Sequence, residues 1–138
     1  LPGAVSTLLR FGTADQKHRW IPRLAEGRTL NTMCLTEAGA GSDLSRVRTK
    51  ADKQNGSWRL RGEKIFISNG DQDLSEDILH FVLARSGDAD AGTKGLSLFL
   101  CPSKIEGGRN HVSVARIEEK LGIHGSPTCQ LVFDDALL

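Results

Sequence analysis

The stretch Met33-Cys34-Leu35-Thr36-Glu37-Ala38-Gly39-Ala40-Gly41-Ser42-Asp43 runs from an apolar, strand-like segment straight into a small glycine-rich turn that carries hydroxyls. A second apolar segment, Lys64-Ile65-Phe66-Ile67-Ser68-Asn69-Gly70, ends the same way, on a hydroxyl followed by Asn-Gly. Two strands that stop at polar turns can bring backbone N–H groups and hydroxyls around one flat heteroaromatic ligand. The pairing points away from phosphate loops and metal sites.

Outward from these segments, apolar residues recur with a period near two. Strands are predicted over 32–37, 47–53, 58–61, 64–68, 80–85, 96–101, 112–118 and 129–133. Turn signals separate them, and Asn55-Gly56 predicts a tight hairpin between the second and third. Short strands at this spacing predict a mainly β fold, an antiparallel β-barrel or orthogonal sheet domain. Residues 1–30 read differently. Val5, Leu8 and Leu9 sit at helical spacing before Gly12, a predicted C-cap. Thr13 and Gln16 form a capping box that opens a second short α-helix carrying Trp20, Ile21 and Leu24. Pro22 predicts a break in that helix and Gly27 its end. So few apolar side chains cannot form a separate core. Residues 1–30 are therefore read as the tail of a helical domain, and 31–138 as a β domain.

The chain has 138 residues, long enough for one domain with a buried core. Eighteen Lys and Arg against 17 Asp and Glu leave a net charge of +1, too near neutral for a nucleic-acid surface. No apolar run of about 18 residues could span a membrane, and Arg10 with the polar run 13–19 argues against a signal peptide. The three cysteines, Cys34, Cys101 and Cys129, are scattered without CxxC spacing. They read as buried small hydrophobes in a reducing cytoplasm, with no metal expected.

Gly39-Ala40-Gly41 lacks the third glycine of a dinucleotide loop, since position 44 is Leu44, and no βαβ pattern surrounds it. His18, His80, His111 and His124 share no evident face. Glu37 and Asp43, beside glycine turns, read as caps for backbone N–H groups. Ser42 has no matched general base. Binding is better supported than turnover. Oxidised flavin presents a planar edge of acceptors and one donor, and Leu35, Thr36, Phe66 and Ser68 lie where complementary groups would be expected if the strands are neighbours. Hydroxyls that merely finish strands account for the same residues slightly better.

Cys34-Leu35-Thr36-Glu37-Ala38-Gly39-Ala40-Gly41-Ser42-Asp43 resembles the C-x-T-E-P-G-A-G-S-D motif of the acyl-CoA dehydrogenase family. Gly62-Glu63-Lys64-Ile65-Phe66-Ile67-Ser68-Asn69-Gly70 is similar to that family's G-x-K-x-W-I-T-N-G segment. Lys120-Leu121-Gly122-Ile123-His124-Gly125-Ser126-Pro127-Thr128, followed by Val132-Phe133-Asp134-Asp135, resembles its closing run. The resemblance implies part of an α+β multidomain enzyme: the tail of an N-terminal helical domain over 1–30, a middle β-barrel flavin-binding domain over 31–138, and a C-terminal helical domain beyond. It implies FAD as cofactor and α,β-dehydrogenation of an acyl-CoA thioester with hydride transfer to flavin N5. Electrons would leave through an electron-transferring flavoprotein. A homo-oligomer, tetramer or dimer, is expected at full length, in the bacterial cytoplasm or, in a eukaryote, the mitochondrial matrix.

Carried over by position, Met33, Leu35, Thr36, Gly41, Ser42, Phe66, Ile67 and Ser68 would line the FAD. Leu35 and Thr36 would bond its pyrimidine side, Phe66 would cover a ring face, and Ser68 would donate to N5. Ser42 would also meet the acyl-CoA. No catalytic residue is expected in this chain, because the family's catalytic glutamate lies in the C-terminal domain. Met33, Ala38, Phe66 and Ser68 replace the family's usual aromatic, proline, tryptophan and threonine. Residues 71–80 and 123–127 resemble a subgroup handling long, aromatic or sulfur-containing acyl chains. The alternatives are an acyl-CoA oxidase or flavin monooxygenase relative, or a non-catalytic β-barrel that binds a ligand or protein.

Overall fold

The computed structural model describes residues 2–138. Two helices, α1 (Pro2–Phe11) and α2 (Ala14–Ala25), precede β1 (Thr29–Cys34), β2 (Lys50–Gln54), β3 (Ser57–Ser68) and β4 (Asp77–Arg85). Then come β5 (Leu96–Pro102), a two-stranded ribbon of β6 (Lys104–Ile105) and β7 (Gly108–Arg109), β8 (Val112–Ile117) and β9 (Thr128–Leu137). One curled, half-barrel sheet has the order β1-β4-β2-β3-β9-β8, with β5 also paired to β4. The mainly β fold with leading helices agrees with the sequence expectation.

β4 explains why the sheet holds together. Its run Ile78-Leu79-His80-Phe81-Val82 is buried on both faces, so the apolar residues do not alternate with polar ones. Leu79 and Phe81 pack against Ala4, Leu8, Trp20 and Leu24 of the helices. Val82 and Ala84 point the other way, into a core with Cys34, Leu60, Ile67, Cys129, Leu131 and Phe133. Each fully buried large side chain contributes about 1.5–3 kcal/mol. The helices have no core apart from the sheet, as their sparse apolar content requires. Cys34, Cys101 and Cys129 are all free and buried.

Several local expectations need correction. α2 runs through Pro22 without a break. The bond the proline cannot make would go to the carbonyl of His18, and both residues are on the solvent side, where water satisfies that group. The capping box is present, with the Gln16 N–H donating to Thr13 Oγ1 at 3.2 Å and the Thr13 N–H to Gln16 Oε1 at 2.9 Å. β1 pairs with β4 in parallel, from Thr29↔Asp77 to Cys34↔Val82, against the antiparallel expectation for that pair. The β2–β3 hairpin lies between them in the chain, so β1 is joined to β4 by a crossover. β1 stops at Cys34 because 37–40 closes on itself. β2 starts only at Lys50 because Leu44–Arg46 forms a 3₁₀ turn. The separate strands 58–61 and 64–68 are one strand, β3, and the Asn55-Gly56 turn does join β2 to it.

Gly62 keeps β3 continuous. Its φ is +145°, and a Cβ there would lie 2.5 Å from Thr49 Oγ1 and 2.7 Å from the Thr49 Cα. Gly62→Ala should therefore lower the unfolding free energy by about 2–4 kcal/mol, from backbone strain plus overpacking. Urea denaturation checks this through a reduced midpoint at unchanged slope.

Candidate functional site

The two opening motifs meet through one backbone bond. The Ile65 N–H donates to the Thr36 carbonyl at 2.9 Å. That donor is free because β3 bulges there: Lys64 pairs with Leu131 and Ile67 with Cys129, leaving one extra residue on β3. Phe66 absorbs the bulge at φ +59°, a strained conformation for a large side chain, and stands 60% exposed. Ser68 follows two residues later on the same side. Thr36 and Ser68 thus both lie beside the last stretch of β3, with Ser68 three residues, a rise of about 10 Å, beyond the Ile65 that bonds Thr36.

Beyond Thr36 the chain folds back, with Glu37 and Ala40 exchanging backbone bonds of 3.0 and 3.1 Å. Glu37 caps the next segment, accepting from the Arg48 N–H at 2.7 Å and the Thr49 N–H at 3.0 Å. Asp43 caps the 3₁₀ turn through the Ser45 N–H at 3.1 Å. Both carboxylates are the N–H caps that their setting predicts. Arg85 is buried and holds the same region from below. Its guanidinium donates to the carbonyls of Ser45, Val47 and Gly92 at 2.8, 3.2 and 3.0 Å.

Lys64 is a buried charged residue of this region that the sequence reading does not single out. Its side chain is 0% exposed, and Nζ donates to the Leu35 carbonyl at 3.0 Å and to Glu37 Oε1 at 2.8 Å. No local signal marks it, since its partner Glu37 comes from another segment. Burial raises the Glu37 carboxyl, but the bonds from Lys64, Thr49 and Arg48 outweigh it and hold the group below the usual carboxylate range. Burial pulls the Lys64 ammonium below its ordinary value, and Glu37 opposes that pull.

The outer side of this edge presents donors and apolar cover. Among the described residues, no acceptor takes the N–H of Leu35 or Thr36. Met33 is 45% exposed, and Gly41, Ser42 and Ser68 are exposed as well. The side chain of Ile67 is 2% exposed and belongs to the core, because strand alternation turns it away from Phe66 and Ser68, so only its backbone lies on the outer side. The closing motif adjoins the same strand end, where Asn69 N–H donates to the Pro127 carbonyl at 2.7 Å and Ser126 Oγ to Asn69 Oδ1 at 3.1 Å.

Neighbouring titratable groups are structural. Burial pushes His80 down to about 4, so the ring is neutral at pH 7, and its Nδ1 lies 2.7 Å from Thr32 Oγ1. Burial pushes the Cys34 thiol up to about 12, which removes it as a nucleophile. A cleft of about 680 Å³ lies beyond Gly70, lined by residues including Asp71, Asp77, Lys104 and Arg109, and it contains neither Thr36 nor Ser68. Among the described residues no group of three or more His, Cys, Asp or Glu could hold a metal ion. No helix among them is long and apolar enough to cross a membrane.

Residues 32–136 match the family profile "Acyl-CoA dehydrogenase, middle domain". The chain is 45% identical to 3-methylmercaptopropionyl-CoA dehydrogenase of Ruegeria pomeroyi, over 97% of this chain and 24% of that protein. Butyryl-CoA dehydrogenase from Megasphaera elsdenii superposes with a TM-score of 0.78 at 34% identity, covering 97% of this chain and 33% of that one. A glutaryl-CoA dehydrogenase from Mycobacterium smegmatis, solved in complex with FADH2, gives 0.77 at 31% identity over 98% and 31%. The chain spans about a quarter of the length of curated relatives such as the Ruegeria pomeroyi dehydrogenase.

Removing Lys64 would leave the Glu37 carboxylate buried without its cation. Lys64→Ala should cost about 3–5 kcal/mol, read from denaturant unfolding. Because the Glu37 carboxyl is depressed in the folded chain, its contribution is present above its unfolded value near 4.3 and lost as pH falls through the folded value. Glu37→Gln should therefore flatten the stability–pH curve below about pH 4.3, measured by urea unfolding across that range.

Proposed function

The chain belongs to the acyl-CoA dehydrogenase family, and from that premise we propose that it is the FAD-binding part of an enzyme that dehydrogenates an acyl-CoA thioester between its α and β carbons. Residues 31–138 form the middle β domain on this reading, and 1–30 the tail of the helical domain before it. The observation that carries the proposal is the Ile65–Thr36 backbone bond, which puts both motif ends on one sheet edge.

The donor set suits a flavin. The N–H groups of Leu35 and Thr36 and the Thr36 hydroxyl match the acceptor-rich pyrimidine edge, and no charged side chain among the assigned residues has to be buried under the ring. The Ser68 hydroxyl is assigned to donate at N5. Phe66 and Met33, exposed and apolar, are assigned to cover ring faces and exclude water. Gly41 and Ser42 offer a small backbone turn to the cofactor, and the Ser42 hydroxyl also meets the thioester ligand. Bound FAD supplies the hydride acceptor. No base for the α-proton is assigned in this chain. It belongs, on this reading, to the part of the relatives that the chain does not cover.

The partners proposed are an acyl-CoA, an electron-transferring flavoprotein as oxidant, and further copies of the full-length protein, in the bacterial cytoplasm or the mitochondrial matrix. The 45% relative is named for a sulfur-bearing acyl-CoA, so that class is the first to screen. Flavin absorbance in the purified complete gene product tests the proposal, and a colourless protein defeats it. Oxygen consumption in place of reduction of an electron-transferring flavoprotein would reassign the enzyme as an oxidase. Ser68→Ala removes a donor worth roughly 0.5–1.5 kcal/mol, so single-turnover flavin reduction should slow about 2- to 12-fold.

A further inference from the structure

The Leu35 carbonyl and the Thr36 N–H are the two ends of one peptide unit, and no peptide bond among the described residues is cis. In a planar trans unit they point in opposite directions. The carbonyl faces inward to Lys64 Nζ at 3.0 Å, so the Thr36 N–H faces away from the buried ammonium, where no acceptor among the described residues takes it. The next carbonyl, that of Thr36, is fixed by Ile65. The donor is therefore held from both sides. An ammonium that donates to the carbonyl oxygen draws electron density from the peptide nitrogen, which makes the N–H a stronger donor.

The ion pair with Glu37 gives Lys64 a structural role, since a fully desolvated ammonium is costly unless it is paired. Lys64 is one of three donors to that carboxylate, beside the N–H groups of Arg48 and Thr49. The bond to Leu35 is the one contact of Lys64 that leads to the proposed cofactor edge.

We propose that Lys64 is a positioning residue for that edge: through the Leu35–Thr36 peptide, its ammonium fixes and strengthens the Thr36 N–H donor and so raises the reduction potential of the bound flavin. The inference rests on the flavin reading above. Reduction adds electron density to the flavin, and a donor aimed at its pyrimidine edge favours the reduced form over the oxidised one.

The test uses the full-length flavoprotein and compares wild type, Lys64→Met, and the neutral pair Lys64→Met with Glu37→Gln. Replacing both members of a buried ion pair by uncharged groups of similar shape leaves stability near its starting value. The double variant should therefore keep its FAD and its thermal midpoint. Its equilibrium constant for two-electron reduction should nevertheless fall about tenfold, roughly 30 mV in potential. A merely structural lysine would leave the potential unmoved once the pair is neutralised. A double variant that holds FAD with an equilibrium constant less than about threefold from wild type overturns the role of Lys64 while leaving the flavin reading intact. Wild-type protein without flavin overturns the reading itself. Should the methionine variants not fold, Lys64→Gln with Glu37→Gln keeps an N–H donor but no charge, and it must also lower the equilibrium; an unchanged value there overturns the proposal equally.

Discussion

An ammonium shut away from water must be given acceptors by the chain itself, and meeting that demand at Lys64 ties four segments together. Leu35 lies at the end of β1, Glu37 in the turn after it, Arg48 and Thr49 ahead of β2, and Lys64 within β3. Lys64 bonds Leu35 and Glu37, and Glu37 in turn accepts from Arg48 and Thr49, so a shift of any of these segments would strand a buried charge. The sheet edge assigned to the cofactor is built on this knot. The bulge at Phe66 then turns an aromatic ring outward from a strand whose neighbouring residues face the core.

Around that knot the packing is ordinary. β4 divides its side chains between the helices and the β core, and this shared strand makes one body of two kinds of secondary structure. Arg85, at its far end, satisfies carbonyls from two loops instead of meeting a carboxylate. Polar groups under this edge are therefore paired throughout, and the unpaired donors lie on its outer side.

What could be read from residues alone follows from which signals are local. The capping box at Thr13, the Asn55-Gly56 hairpin and the hydroxyl turns after Thr36 and Ser68 each depend on a few adjacent residues, and each is where it was expected. The direction of β1 against β4 is set by a crossover that no local pattern records. Lys64 escaped notice because a lysine in an alternating strand reads as a solvated residue, and only the fold shows that its partner Glu37 arrives from another segment. Ile67 was grouped with the cofactor residues by its place in a motif, yet the bulge beside it leaves its side chain in the core. Pro22 stays inside α2 because a helix tolerates proline where the freed carbonyl faces solvent.

The parallel ladder between β1 and β4 has a kinetic implication. The hairpin of β2 and β3 can zip from its own turn, but β1 finds its place only once β4, far along the chain, has been laid down. Leu35 and Thr36 directly follow β1, so the edge proposed to hold the flavin is among the late features to mature. A chain stalled with only its hairpin formed would have Phe66 and Ser68 but no partner edge. Retention of a yellow chromophore would then serve as a certificate that the slow, non-local half of assembly has finished.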